Sequence, residues 1–490
     1  MAMASVAALQ GEVEAQPPVE TPPAEEETSF YEIEEEKRIP RVDLDVDSDR
    51  DGTVEDAADD SAEETWTQQR GAVFLNNVDD DDDENDADDT DKVDNRDLTI
   101  DGADDRVDLA EIVIRVADRA PEEVVTLRIL GQDASKVRIF DETDRPRLGQ
   151  TGAGVVDAYA LPNQGAAFEV TYLVEGLAFP SAAFKYLDLR LELDLGDIGV
   201  ILVDRVRLRI APYMLLANTE SGEEVYYIDD GADNRAFRQD LERVVPAGAR
   251  APYSVGDYED EWAQDEMEIG YTLHARSRMH VVLDLPRNRP LDPFPEEMLL
   301  DPDVGHWELE DLESDLDLLF QTLLAQGDED LFDDLVDTIF DDFYGGNVEV
   351  SFRPVTAQGK RYLFGRALIG STLPAEVRQF LVDQEVQTPA VELDVNWLKV
   401  GHVDEVVTVV PGRSVMVPDT DLAWTALVVA VLNGQGGRVV FENLVGKRGN
   451  RLDTRIIDLV SNDAAVRMRM PDGSRRTARE FAAAQRVVQT

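Results

Sequence analysis

The 490-residue sequence contains no cysteine, which excludes disulfide bonds, thiolate metal ligands and cysteine nucleophiles within this chain. Histidine is also rare, with four residues, and no pair has the spacing of zinc-binding histidines. No stretch approaches the roughly 20 apolar residues of a membrane helix. The first residues, MAMASVAALQGEVEAQPP, lack the basic region and apolar core of a signal peptide. We therefore expect a soluble, cytoplasmic protein.

Basic residues are scarce, 46 against 104 acidic residues, and the formal net charge is -58. Such a field repels nucleic acid and anionic membranes, and it attracts cations and basic proteins. A salt-adapted acidic surface has the same composition. Charge alone therefore leaves two interpretations open, cation and basic-peptide binding or simple solubility in salt.

The chain is long enough for several domains. Residues 1–41 are rich in Glu, Pro and Ala, which predicts a disordered arm. Residues 42–212 alternate apolar and polar side chains in short runs, which predicts an antiparallel, all-β sandwich. Residues 213–490 alternate strand-like and helical runs, which predicts an α/β domain, with an acidic helical insertion at about 307–343.

Two acidic clusters fall inside the predicted sandwich. The first spaces its carboxylates at every second residue before a turn glycine, with members Asp45, Asp47, Asp49, Asp51 and Glu55. The second combines an amide with carboxylates, with members Asn77, Asp79, Asp81, Asp94 and Asp97. Oxygen ligands converging in short loops are typical of calcium sites, although acidic runs are also common in solvated loops. Like charge at this density inside a packed region favours bound cations.

Three blocks in the second half carry groups suited to chemistry: residues 261–271, 284–289 and 397–405. His402 precedes Asp404 by two residues, so on a strand both side chains would share one face and could form an acid/base pair. An HxD sequence is also often incidental. The residues alone leave both interpretations open.

Together these blocks resemble the signature of the protein-arginine deiminases, in the runs WAQDEMEIGY, DLPRNR, GNVEV, GRALIG and VGHVDE. The runs DVDSDRDG, EGLAFP and VRLRIAPY resemble the calcium-binding middle domain of that family. The resemblance covers roughly residues 42–440. It implies a multidomain protein with an immunoglobulin-like sandwich followed by an α/β propeller of the pentein, or amidinotransferase, type.

The resemblance also implies an activity, the calcium-dependent hydrolysis of peptidyl arginine to peptidyl citrulline and ammonia. Asp265 and Asp404 would hold the guanidinium through charge-assisted bonds, and His402 would act as general acid and then general base. Trp262 and Val400 would line the arginine stem, and Arg289 would bind the substrate backbone. Partners would be arginine-containing proteins or peptides, and a homodimer is left open.

Several calcium ions are implied by the same resemblance. One ion would take Gln264, Glu268 and Glu349 with the carbonyls of Gly345 and Val348; another would take Glu266, Asp284 and Asn288 with the carbonyl of Leu285. Asp303 would join the middle-domain group Asn77, Asp79, Asp81, Asp94 and Asp97, and the group Asp45, Asp47, Asp49, Asp51 and Glu55 would form a further site. We expect residues 264–268 to alternate along a strand, with the metal-binding side chains of 264, 266 and 268 on one face and Asp265 on the other.

The missing cysteine is the main departure from the family, because the deiminase nucleophile is a cysteine near the C-terminus. We expect a truncated deiminase, with an incomplete propeller and the nucleophile in a segment that this chain lacks. The alternatives are a non-catalytic protein that binds calcium and arginine side chains, and an acidic calcium-binding structural protein. The last alternative leaves the three matching blocks unexplained.

Overall fold

The computed structural model describes residues 39–477 apart from 82–92, 97, 132, 197–198, 223, 232–233, 255–257, 259, 261, 287–289, 292, 310–344, 397, 399, 413, 446–450, 461–466 and 470–474. The elements below lie in one unit, Pro40–Thr490. The predicted arm therefore lies almost entirely outside the described residues. So does the predicted helical insertion apart from its first three residues: Trp307 and Glu308 end a strand, and Leu309 follows them.

The first half is built from strands. In chain order they are β1 (Arg41–Val46), β2 (Ala72–Phe74), β3 (Ala110–Ala117), β4 (Val124–Leu130), β5 (Val137–Phe140), β6 (Pro146–Thr151), β7 (Gly154–Val156), β8 (Ala158–Ala160), β9 (Phe168–Gly176), β10 (Tyr186–Asp194) and β11 (Ile201–Ile210). Two short helices interrupt them, α1 (Asp56–Asp59) and α2 (Ala103–Asp108). The strands form a six-stranded sheet, β1-β3-β9-β5-β6-β7, and a five-stranded sheet, β2-β11-β10-β4-β8.

Alternating apolar residues explain how the two sheets pack. On β10, Leu187, Leu189, Leu191 and Leu193 are fully buried, while the residues between them are partly exposed. Leu189 pairs with Val206 of β11 and with Ile129 of β4, so the buried positions align across the sheet. Their partners in the core include Leu44 of β1 and Ile114 of β3. The predicted period-2 alternation is present on β10, and the two sheets share one core. The pairing is antiparallel except between β2 and β11, which run parallel.

The second half consists of smaller sheets and helices. Its strands are β12 (Met214–Leu215), β13 (Val225–Asp229), β14 (Arg250–Ser254), β15 (Met267–Leu273), β16 (Arg278–Asp284), β17 (Val304–Glu308), β18 (Val348–Val350), β19 (Val355–Ala357), β20 (Lys360–Tyr362), β21 (Ala367–Gly370), β22 (Val391–Leu393), β23 (Thr408–Val410), β24 (Ser414–Met416), β25 (Val439–Val445), β26 (Arg451–Arg455), β27 (Arg467–Arg469) and β28 (Arg475–Thr477). Its helices are α3 (Arg235–Val244), α4 (Ala263–Glu266), α5 (Phe294–Met298), α6 (Ala375–Asp383), α7 (Thr420–Leu432) and α8 (Ile456–Val460).

Two of these sheets position the candidate site. The four-stranded sheet has the order β12-β15-β16-β17, and the three-stranded sheet has the order β18-β21-β22. Their apolar residues share a core that also takes in Leu75, Val78 and Phe179 from the first half. The predicted boundary at 212/213 falls between β11 and β12 and stays a prediction.

Buried amide side chains tie the first half to helix α6. The backbone N–H of Tyr213 donates to Gln384 Oε1 at 2.9 Å, and Gln384 Nε2 donates to the carbonyl of Pro180 at 3.2 Å. Arg209 donates to the carbonyl of Gln384 at 2.7 Å, and its guanidinium lies 4.2 Å from the ring centroid of Trp66. Since these groups are buried, the bonds satisfy backbone atoms that water cannot reach.

In the described part of the chain, no helix combines the length and the apolar character needed to cross a bilayer.

Candidate functional site

The segment around Asp265 is a helical turn followed by a strand. Helix α4 covers Ala263–Glu266, and β15 begins only at Met267. Asp260 Oδ1 accepts from the backbone N–H of Trp262 at 2.9 Å, and the carbonyl of Trp262 accepts from the N–H of Asp265 at 3.0 Å, which closes the turn. The expected strand alternation over residues 264–268 is therefore wrong. Accordingly, Gln264 is exposed while Glu266 is fully buried.

His402 and Asp404 lie in a turn, so their predicted strand is also wrong. Glu405 Oε2 accepts from the backbone N–H groups of Gly401 at 3.2 Å and His402 at 3.3 Å. Gly401 has a φ of 93°, a conformation that glycine adopts readily. The turn therefore fixes the backbone from which both side chains project.

A second glycine allows this turn to approach the segment before β18. The backbone N–H of Asp404 donates to the carbonyl of Gly346 at 3.3 Å. A Cβ at residue 346 would lie 2.6 Å from His402 Nδ1 and 3.2 Å from Asp404 Oδ2, so a side chain there would displace both groups. The Gly345–Asn347 turn also contacts α4, which carries Asp265.

The packing of these turns on α4 brings the three expected catalytic residues, Asp265, His402 and Asp404, together. His402 Nδ1 lies 4.0 Å from Asp265 Oδ1, and both side chains are largely buried. Burial raises the pKa of Asp404, whereas the neighbouring His402 lowers it. Asp265 also acts electrostatically on Asp404, so one histidine and two carboxylates face one small volume.

Glu268 and Glu349 extend this group to four carboxylates. Burial raises the pKa of Glu268 well above its usual range, and the charges of Glu349, Asp404 and Asp265 raise it further. Burial raises the pKa of Glu349 to about 7, while a hydrogen bond from Asn218 acts in the opposite direction. Among the described residues, Glu268 Oε1 and Asp404 Oδ1 are buried without a hydrogen-bond partner. A cation would satisfy such oxygens, so Glu268 and Glu349 fit a metal ion.

The expected substrate-lining residues are accessible. Trp262 is 56% exposed and Val400 is 57% exposed; Trp262 lies three residues before Asp265, and Val400 lies two residues before His402. Arg289 lies outside the described residues. Apolar side chains exposed beside buried carboxylates suit a ligand with an apolar stem and a cationic end.

The second expected metal group lies at the end of the β15–β16 pair where β15 begins, close in sequence to Glu268. Met267 pairs with Asp284, and the N–H of Leu285 donates to the carbonyl of Glu266 at 2.9 Å, so register brings residues 266, 284 and 285 together. Glu266 and Asp284 are buried, and Asn288 is outside the described part of the chain. His306 Nε2 lies 3.1 Å from Asp284 Oδ2, a contact that sequence reasoning missed.

The middle-domain group assembles Asp79 and Asp81 with an unexpected member, Asp108. Oxygens from these three carboxylates lie within 4.8 Å of one another. Burial, followed by the charge of Asp108, raises the pKa of Asp79 well above its usual range and that of Asp81 to about 7. The backbone N–H of Asp303 donates to Asp79 Oδ2 at 3.2 Å, so that residue lies beside the group; its role as a ligand stays a prediction.

Asn77 and Asp94 border the same group. Asn77 Nδ2 donates to Asp105 Oδ1 at 2.7 Å, and the N–H of Asp94 donates to the carbonyl of Asp79 at 3.3 Å. Asp97 lies outside the described residues. Within the described chain, Asp79 Oδ1 and Asn77 Oδ1 are buried and have no hydrogen-bond partner. Unpaired buried oxygens in a set of hard oxygen donors fit a calcium ion.

The first acidic cluster divides in two. Carboxylate oxygens of Asp47, Asp49 and Asp51 lie within 4.8 Å of one another in a loop. The N–H of Glu55 instead donates to Asp59 Oδ2 at 2.8 Å, and buried Asp59 also accepts from Ser48 at 2.7 Å; its structural role was missed.

Asp45 does not join that loop. Its carboxylate forms an ion pair with Arg115, and it lies in a separate group with Asp60 and Glu63. Burial, and then the charges of Asp204 and Asp45, raise the pKa of Glu63 to about 8. The structure thus brings three of the five expected residues together and places Asp45 and Glu55 elsewhere.

Comparisons with known proteins point to one family. The family model described as protein-arginine deiminase (PAD) matches residues 200–467, and the model of the PAD middle domain matches residues 41–193. The chain is similar to human protein-arginine deiminase type-1, with 31% identity over 399 residues, which cover 76% of this chain and 55% of that protein. It is also similar to mouse protein-arginine deiminase type-4, with 30% identity over 444 residues, which cover 83% of this chain and 61% of that protein.

The chain thus spans about 55% to 61% of the length of these two relatives. Two adjoining family models cover most of its residues, in agreement with a multidomain, mostly β organisation. Because the model of the deiminase itself matches more than half of the residues, this chain belongs to the protein-arginine deiminase family.

Proposed function

We propose that this chain forms the calcium- and arginine-binding part of a protein-arginine deiminase. The reaction converts peptidyl arginine and water into peptidyl citrulline and ammonia. The observation that carries the proposal is the convergence of His402, Asp265 and Asp404, from segments 137 or more residues apart, at one partly buried place. Such a constellation suits one cationic ligand and one proton donor.

Substrate recognition is assigned to Asp265 and Asp404. A guanidinium presents planar N–H donors, and two carboxylates on opposite sides can accept from them with charge-assisted bonds. Asp265 already lies near His402, so a guanidinium held by both aspartates would present its central carbon close to the imidazole. Exposed Trp262 and Val400 would contact the methylenes of the arginine.

Proton transfer is assigned to His402. Addition of a nucleophile to the guanidinium carbon must be followed by loss of one nitrogen, which leaves as ammonia after accepting a proton. His402 would give that proton and then accept one from the water that hydrolyses the covalent intermediate. Protons therefore balance over the cycle, with the imidazole returned to its starting state.

Calcium is assigned to three acidic groups. Glu268 and Glu349, with Gln264, would hold one ion beside the catalytic carboxylates; Glu266 and Asp284 would hold another; and the middle-domain group would hold at least one more. When bound, the ion supplies positive charge that permits crowded, buried carboxylates to stay ionised. The buried oxygens of Glu268, Asp79 and Asn77 that have no partner within the described chain support this assignment.

The nucleophile is assigned to sequence outside this chain. The chain contains no cysteine and spans only 55% of human type-1 and 61% of mouse type-4 protein-arginine deiminase. We therefore expect the 490-residue chain to bind arginine peptides without turning them over. Reading the codons that follow Thr490 for a cysteine tests this assignment directly.

Calorimetry with the full 490-residue chain tests the binding function. An arginine-containing peptide should bind in calcium, and binding should weaken by about 10- to 100-fold in Asp265→Asn or Asp404→Asn, the loss of one bond to a charged group. The same peptide with citrulline in place of arginine is the control, because it is similar in size but uncharged. Equal binding of both peptides would contradict the proposal. Citrulline release by the cysteine-free chain would overturn the mechanism.

A non-catalytic calcium- and arginine-binding protein is the second candidate. It is favoured by one observation, that the groups needed for binding converge while the sequence has no cysteine. Both candidates predict peptide binding. They differ in the sequence following Thr490, where only the deiminase predicts a cysteine-bearing continuation of the same reading frame.

A further inference from the structure

One side chain outside the expected site contacts a candidate calcium ligand. Asn218 follows β12, and its Nδ2 donates to Glu349 Oε2 at 3.0 Å. Glu349 lies on β18 and acts electrostatically on Glu268. Asn218 is thus a neutral donor that meets the edge of the four-carboxylate group.

Two hydrogen bonds between Ala217 and Glu220 close the turn that carries Asn218. Glu220 Oε1 accepts from the backbone N–H of Ala217 at 3.2 Å, and the carbonyl of Ala217 accepts from the N–H of Glu220 at 2.9 Å. Just before the turn, the N–H of Leu216 donates to the carbonyl of Ile269 on β15 at 3.3 Å. The turn is therefore anchored to the strand that also carries Glu268.

Ion pairs hold the same turn against the segment of Glu349. The carboxylate of Glu220 lies 2.8 Å from Arg353, four residues beyond Glu349, and 3.7 Å from Arg278 of β16. The side chain of Glu220 is only 13% exposed, and Arg353 also donates to the hydroxyl of Tyr271. A largely buried carboxylate between two arginines restrains the turn more than an exposed ion pair does.

Orientation matters for Glu349 because its neighbours repel it. Without a hydrogen bond, the Glu349 carboxylate would reduce its repulsion by Glu268 and Asp404 if it rotated toward solvent. A hydrogen bond to one oxygen opposes this rotation and leaves the other oxygen for a cation. The outer partners of metal ligands commonly have this role and commonly affect metal affinity.

We propose that Asn218 is a positioning residue for Glu349, and that the anchored turn Ala217–Glu220 holds Asn218 beside Glu349. The proposal rests on the proposed function, because it takes Glu349 as a calcium ligand. Asn218 itself need not contact the ion. Its effect on calcium affinity must then pass entirely through Glu349.

Calcium titration calorimetry on the full chain tests this. Glu349→Gln first identifies the part of the isotherm that depends on Glu349. Asn218→Ala should weaken that component by about tenfold, the equivalent of one hydrogen bond to a charged group, while Asn218→Gln, which keeps the primary amide, should weaken it less. Glu220→Gln should also weaken calcium binding, because it loosens the turn Ala217–Glu220. Asn163→Ala, at another exposed turn where the side chain bonds Arg119 and Pro121, is the control and should leave the calcium isotherm unchanged.

The double variant Asn218→Ala/Glu349→Gln separates positioning from other effects. If Asn218 acts through Glu349, the double variant binds calcium no more weakly than Glu349→Gln alone. An additive loss, or an unchanged isotherm in Asn218→Ala, would overturn the inference. If Glu349→Gln itself leaves the isotherm unchanged, the calcium assignment of the proposed function fails instead. Thermal unfolding without calcium shows that each variant is folded.

Discussion

The Nδ1 atom of His402 lies 4.0 Å from Oδ1 of Asp265, although the two residues are 137 positions apart in the sequence. The contact depends on two local features, the helical turn Ala263–Glu266 and the glycine at 346. Helix α4 packs on the Gly345–Asn347 turn, and that turn receives the N–H of Asp404. A change at this junction should therefore disturb the histidine and both aspartates together.

Gly346→Ala should disrupt this junction. Its Cβ would lie 2.6 Å from His402 Nδ1 and 3.2 Å from Asp404 Oδ2, so both groups must move. We expect arginine-peptide affinity to fall by about tenfold or more, since the loss of one charge-assisted bond costs about that much. Gly248→Ala is the matched control, because nothing lies within 4 Å of its added Cβ. Unchanged affinity in Gly346→Ala, measured by calorimetry, would contradict this geometry.

The stability of the calcium-free chain should depend on pH. The pKa values of Asp81 and Glu349 are raised to about 7, and that of Glu63 to about 8, so the folded chain binds more protons than the unfolded chain between about pH 5 and 8. Stability then decreases as pH rises through this window. Urea unfolding in chelator should give a higher midpoint at pH 5.5 than at pH 8.

Amide variants provide the control for this pH effect. Asp81→Asn and Glu349→Gln each remove one group that must ionise in a crowded site, so each should flatten the pH profile of the unfolding midpoint. Calcium at pH 8 should restore stability in the unmodified chain by mass action. The pKa assignments would be contradicted if the unfolding midpoint of the unmodified chain in chelator did not change with pH. They would also be contradicted if both variants kept a pH profile as steep as that of the unmodified chain.

Much of the scaffold could be predicted from local pattern. Leu187, Leu189, Leu191 and Leu193 alternate with polar residues and do occupy one buried face of β10. The loop Asp47–Asp51 was also recognisable, because carboxylates close in sequence remain close in a turn. Period-2 spacing misled at residues 264–268, where the side chain of Asp260 stabilises a helical turn that no periodicity reveals.

The site residues that sequence reasoning missed are far in sequence from the carboxylates that they contact. Asp108 lies 27 residues beyond Asp81, and the fold of helix α2 brings it to the group. Its spacing of three from buried Asp105 is a signal, because residues i and i+3 share a helix face. Asn218 and His306 had no comparable signal. His306 meets Asp284 through the pairing of β16 and β17, and Asn218 meets Glu349 across two different sheets.

Asp108→Asn tests the corrected middle-domain group. Removing one of three converging carboxylates should weaken the calcium component assigned to this group by about tenfold or more, since ligand charge sets calcium affinity. The same change should raise stability in chelator at pH 8, because it relieves repulsion of Asp79 and Asp81. Asp157→Asn, at an exposed position, is the control. Unaltered calcium binding in Asp108→Asn would remove that residue from the site.

Gln384→Leu should destabilise the fold without changing any candidate ligand. Gln384 is 1% exposed, accepts from the N–H of Tyr213 and donates to the carbonyls of Pro180 and Phe380. Leucine leaves the N–H of Tyr213 and the carbonyl of Pro180 buried without that partner, at a cost of about 1–3 kcal/mol for each group that water cannot reach. The carbonyl of Phe380 still accepts from the backbone N–H of residue 384. Urea unfolding with calcium should give a free energy of unfolding lower by about 2–4 kcal/mol. Gln379→Leu, at an exposed position of α6, removes one hydrogen bond to Asp383 and should lower it by less than about 1.5 kcal/mol. Equal effects of the two variants would show that Gln384 does not tie the first half to α6.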